Sequence, residues 1–156
     1  MTNSSGPPRL GVPRHLEGLR EAVVALVRDA DRAGLRAPVP TTPDWTVRRL
    51  VAHQGMVHRW AAATVRGVTT APDAWEQEGI DAADPLEWLE DGVIDLVGAI
   101  VQAPEDLEAP VFLRDAPPPR EFWARRQCHE TTIHAVDAVA AALGRFPRAA
   151  DAGWIA

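Results

Sequence analysis

Two histidines and one glutamate carry the chemistry this sequence offers. In the segment His129-Glu130-Thr131-Thr132-Ile133-His134, Glu130 and His134 are four residues apart. On an α-helix that spacing puts them about 40° apart on one face, one turn above the other. A carboxylate and an imidazole stacked in this way can grip one cation. His53, on a separate predicted helix, can supply a third ligand. Two imidazoles and one carboxylate leave a coordination position open, as working metal sites do and closed structural sites do not. The plainer alternative is an i,i+4 polar pair on a solvated face beside an unrelated histidine.

The donor set suits Zn²⁺ with a water or substrate atom in the fourth position, which makes zinc the first choice; Fe, Ni and Mn are the alternatives. The other candidates are placed badly for the same cation. Cys128 lies about 200° round the helix from Glu130, and His129 about 100°. His58 is about 140° from His53, and His15 heads the first helix without partners. These four are expected at the surface or in packing. Asp137, three residues after His134, either orients that imidazole or is a solvent-facing charge. Arg126, one turn before Glu130, either pairs with it or meets an acidic substrate at the cleft.

Four amphipathic segments must position these groups. Leu16, Leu19, Val23, Leu26 and Val27 repeat at helical spacing from about Pro13 until Gly34. Pro38, Pro40 and Pro43 then forbid a helix. A second helix starts at Trp45-Thr46, with Thr46 as N-cap, and runs to about Gly67; His53 falls in its apolar stripe. The connection from Val68 to Asp84 is long, with room for a short helical turn. Asp84-Pro85 opens a third helix, which ends before Pro104. The fourth runs from about Arg120 to Leu143 and is closed by Gly144.

On this last helix Trp123, Gln127, Glu130, His134, Asp137 and Ala141 form one stripe, polar where Leu or Val would be ordinary. Buried polar groups need a partner, and a shared metal is one. With no alternating strand pattern, the chain reads as an all-α four-helix bundle in a single domain. Residues 1–13 form a flexible arm, 14–147 the bundle and 148–156 a tail.

Composition narrows the function. The chain has 156 residues, a net charge of −6 and all 16 of its basic residues as Arg, so it has no electrostatic footprint for nucleic acid. No apolar run suits a membrane span, and the single cysteine, Cys128, forbids an internal disulfide, so the expected setting is the cytoplasm. Of the six Trp residues, Trp60 and Trp123 are the two expected beside the cleft, the others in packing.

Thr42-Pro43-Asp44-Trp45-Thr46-Val47-Arg48-Arg49-Leu50-Val51-Ala52-His53, continuing to Val57-His58-Arg59-Trp60, resembles a signature of the actinobacterial, mycothiol-dependent maleylpyruvate isomerase family. So does the run from Trp123 to Asp137. The resemblance covers about residues 14–147 and implies a DinB-like four-helix bundle. It also implies a metal held by His53, Glu130 and His134, and mycothiol as the thiol that the metal activates. The implied activity is isomerase or thiol-transferase chemistry on a small acidic or electrophilic substrate. Such bundles pair through helix faces, so a homodimer is expected by the same analogy. The chain departs from the family at Gln54, where an apolar residue is usual, and in stopping at Ala156, before the family's usual second domain. The competing expectation is a non-catalytic metal-binding or interaction module on the same bundle.

Overall fold

The computed structural model describes residues 10–155. Five α-helices follow one another: α1 (Val12–Ala33), α2 (Val47–Val65), α3 (Pro72–Asp81), α4 (Pro85–Gln102) and α5 (Pro119–Leu143). A 3-10 helix, Ala149–Ile155, follows them. The four long helices form the bundle, α1 packing along α5 and α2 along α4, with α2 meeting α5 across the middle. The short α3 lies against α2. Among the described residues there is no strand, only an isolated bridge between Pro38 and Thr46. No helix among them is long and apolar enough to cross a membrane. The protein is all-α.

Local chemistry explains the helix ends. Proline stands in the first turn of α1, α3, α4 and α5, where its missing N–H costs nothing. The Thr46 hydroxyl accepts the Arg49 N–H, and the Asp84 carboxylate accepts the Leu86 and Glu87 N–H groups, satisfying donors that a helix start leaves free. Gly144 closes α5 in the left-handed conformation at φ 65°.

Two expected boundaries move. Of the arm expected at 1–13, residues 1–9 lie outside the described residues, and Val12 and Pro13 already belong to α1. The connection after α2 holds a ten-residue helix rather than a single turn. Its apolar periodicity is faint because its one buried residue is Gly79. That glycine lets α3 close on α2. A Cβ there would stand 2.6 Å from the Trp88 ring and 3.0 Å from Ala52 Cα. Arg48 of α2 fastens the end of α3 by donating to the carbonyls of Ile80 and Ala82.

Two apolar clusters fill the bundle. One gathers Leu19, Leu96, Ile100 and Trp123; the other gathers Leu26, Val47, Leu50 and Leu89, with Trp154 of the 3-10 helix packed against it. The α2–α5 seam also buries polar side chains. Gln54, His58 and Thr131 are all fully buried. Gln54 Nε2 donates to Thr131 Oγ1 at 3.1 Å and lies 2.9 Å from His58 Nε2, which is itself 2.9 Å from Thr131 Oγ1. Gln54 is therefore one corner of a buried polar cluster in which Gln54 Oε1 and His58 Nδ1 have no hydrogen-bond partner among the described residues.

Burial first, then the nearby Arg59 and His134 charges, push the His58 pKa down to about 3. The sign follows directly. Below pH 6.5 the unfolded chain protonates this histidine and the folded one does not, so its contribution is present above 6.5 and lost as pH falls towards 3. Urea unfolding of His58→Gln, which keeps a polar side chain but cannot titrate, should show a shallower acid loss than wild type. The expected difference in slope is roughly 1 kcal/mol per pH unit below pH 6.

Candidate metal centre

The site lies where α2 faces α5. His53 comes from the middle of α2, and Glu130 and His134 from successive turns of α5. One ligand-type atom from each lies within 4.8 Å of the other two. Their side chains are 23 %, 17 % and 12 % exposed, which rules out an ion pair on a solvated face. Glu130 Oε1 is 3.4 Å from His134 Nε2, so the α5 pair lies on one face, one turn apart, as its spacing predicts.

A second layer fixes the first. His134 Nδ1 is 2.8 Å from Asp137 Oδ2, and the Thr41 hydroxyl donates to Asp137 Oδ1 at 2.6 Å. Asp137 is buried. Of its two expected roles, the geometry supports the orienting one: the carboxylate holds Nδ1–H and leaves Nε2 directed at Glu130. Arg126 Nη1 hydrogen-bonds the other Glu130 oxygen, Oε2. The Trp45 indole covers both imidazoles, with ring centroids 4.9 Å from His53 and 6.1 Å from His134, nearly parallel to the latter at 25°.

The electrostatics of this cluster have identifiable causes. Glu130 is held down to about 2, first by its hydrogen bond with His134 and then by Arg126, against a burial that opposes ionisation. Burial also works against charge on His134, but the hydrogen bonds to Asp137 and Glu130 outweigh it and raise the pKa to about 9. His53 goes the other way: burial and the neighbouring His134 lower its pKa despite Glu76 and Glu130. At neutral pH the metal-free site therefore holds an ionised Glu130, an imidazolium at His134 and a neutral His53 with a free lone pair. That is a ready donor set for a divalent cation, which needs only one proton removed.

The remaining sequence candidates separate. Trp123 is a correction: it is fully buried, its indole N–H donates to the Pro110 carbonyl at 3.2 Å, and it is core rather than cleft wall. A long apolar ring on the stripe of Glu130 was drawn into the interior by the aromatic cluster of Trp60, Phe112 and Phe122. Trp60 stands edge-on to it at 5.2 Å and lines a different hollow, of about 280 Å³, with Thr64 and Pro110. Cys128 packs against Gly18 of α1, and burial raises its thiol pKa, which argues against a nucleophile. His129 is exposed, and His15 is buried beside it with ring centroids 6.3 Å apart.

Three contributors were not singled out from sequence. Trp45 lies inside the signature segment, where its type and position could have marked it. Thr41 and Glu76 sit in the proline-rich loop and in α3, where no periodic pattern pointed inward.

No curated protein and no solved structure matches this chain. The family described as the mycothiol maleylpyruvate isomerase N-terminal domain matches residues 16–139, a span that contains all three candidate ligands. The chain belongs to that family.

Proposed function

We propose that this protein is a mycothiol-dependent isomerase or thiol transferase whose divalent cation, zinc by preference, is held by His53, Glu130 and His134. The observation that carries the reading is the convergence of three half-buried donors from two helices, with His134 already tied through Nδ1 to Asp137. A cation bound there supplies Lewis acidity, lowering the pKa of a thiol or water that takes the remaining position. The chain's own groups do the rest. Asp137 and Thr41 keep the His134 ring from turning, Arg126 steadies the outer Glu130 oxygen, and Trp45 excludes water from one side of both rings. Arg126 is 35 % exposed and so also available to a small acidic or electrophilic substrate. A cytoplasmic setting and pairing of two copies through helix faces belong to the same reading.

The test combines elemental analysis of wild type, His53→Ala and Glu130→Ala with calorimetric titration by mycothiol. Wild type should carry near-stoichiometric metal, each variant should lose it, and mycothiol should bind only the metal-loaded protein. Wild-type protein that cannot be loaded would overturn the reading. Metal binding without any effect on thiol would favour the non-catalytic module.

A further inference from the structure

Each candidate imidazole has a carboxylate on its Nδ1 side, and only one of these carboxylates belongs to a ligand-bearing helix. Asp137 faces His134 from α5 itself. Glu76 faces His53 from α3, with Oε1 3.9 Å from His53 Nδ1 and 3.9 Å from Arg49 Nε. Its side chain is only 22 % exposed. This approach is built into the fold. Gly79, one turn after Glu76, brings α3 to within 3.0 Å, measured from its would-be Cβ, of Ala52 Cα, the residue before His53. Arg48 then pins the end of α3 through two backbone carbonyls. A short helix whose buried contact is a glycine has few reasons to present a carboxylate inward, yet Glu76 stands on that side.

We propose that Glu76 is the positioning residue for His53: it selects the ring form with hydrogen on Nδ1 and so leaves Nε2 as the metal-binding atom. This rests on the metal reading above. An imidazole sharing its second nitrogen with a cation is a stronger donor from its remaining N–H, which increases the pull of a carboxylate on that side. Arg49, at the same distance from that oxygen and 5.5 Å from the Trp45 ring centroid, helps hold the Glu76 carboxylate on the His53 side. α3 is thereby part of the metal centre although it supplies no ligand.

The experiment measures Zn²⁺ affinity by competition with a chromophoric chelator. It compares wild type, Glu76→Gln, Glu76→Asp and, as a control on the exposed face of α3, Asp73→Asn. Glu76→Gln should bind about ten- to a hundredfold more weakly, Glu76→Asp should recover part of that loss, and Asp73→Asn should match wild type. Imidazole ¹⁵N NMR of zinc-loaded wild type should show His53 metallated at Nε2 with hydrogen on Nδ1, a signature that a merely structural role would not produce. Metal bound at Nδ1 of His53 would overturn the proposal. So would unchanged affinity in Glu76→Gln while His53→Ala abolishes binding. If His53→Ala and Glu130→Ala also leave binding intact, the metal reading itself fails, a distinguishable result.

Discussion

Zinc binding to the wild-type chain at pH 7 should release close to one proton, and the affinity should climb about a hundredfold between pH 6 and pH 8. The reason is the division of charge within the site. Glu130, held down to about 2, has no proton to give, and the pKa of His53 is lowered by its burial, so it is already neutral. His134, raised to about 9, is the single group that must lose a proton before Nε2 can bind a cation. Each pH unit below 9 therefore costs about a factor of ten in apparent affinity. Calorimetry in buffers of different ionisation enthalpy counts the proton directly.

Asp137→Asn keeps an acceptor for Nδ1–H but removes the charge that favours imidazolium. Its proton release should fall below one, and its affinity profile should flatten. A wild-type affinity independent of pH would sink this account.

The metal-free chain should behave oppositely. The native pKa of His134 lies above the 6.5 of the unfolded state, so its contribution to stability is complete below pH 6.5 and is lost as pH rises through 9. The proton and the metal compete for one cage.

Gly55→Ala should destabilise the fold by about 2 kcal/mol, lowering the melting temperature by roughly 4–8 °C. A Cβ at Gly55 would stand 2.2 Å from the Trp88 ring, so the ring would have to shift. Gly79 of α3 also lies close to the ring, where a Cβ would stand 2.6 Å away. Arg59 stacks on the Trp88 ring at 3.7 Å, and Trp88 Nε1 donates to Glu78 at 2.9 Å. The intrinsic gain of alanine over glycine in a helix, about 1 kcal/mol, offsets only part of this overpacking. In urea unfolding, Gly55→Ala combined with Trp88→Ala should cost at least about 1 kcal/mol less than the two single changes added together. Additive losses would show that the clash is relieved elsewhere.

What sequence could reveal followed from locality. The separation of Glu130 and His134 fixes their relative direction because a helix repeats every 3.6 residues, whatever surrounds it. The same periodicity, with Asp84-Pro85 as a start and Gly144 as a stop, located four long helices to within a few residues. Of the polar α5 stripe, Glu130, His134 and Asp137 find partners in Arg126, one another and Thr41, whereas Gln127 is buried with no hydrogen-bond partner among the described residues. The family signature added mycothiol and the ligand set by resemblance.

Other features depended on neighbours distant in the chain. Trp123 shares the stripe of Glu130, yet an aromatic cluster with Trp60 of α2 and Phe112 of the loop before α5 drew it into the core. His58 and Gln54 look like ordinary polar residues on α2 until Thr131 closes a buried triangle with them. α3 was nearly silent because a helix that packs through glycine leaves no apolar period to detect.

By itself, the sequence determined an all-α chain whose last long helix carries a stacked carboxylate and imidazole, because those properties are set by spacing along one helix. The tertiary structure alone decided that His53 meets them within 4.8 Å, that Asp137 and Thr41 lock one ring, and that Glu76 approaches the other. Apart from the Asp137–His134 contact, which lies within α5, these contacts join separate elements, and their meeting depends on how closely the packed segments approach. At α3 that distance is set by the missing side chain of Gly79 against Ala52 and Trp88.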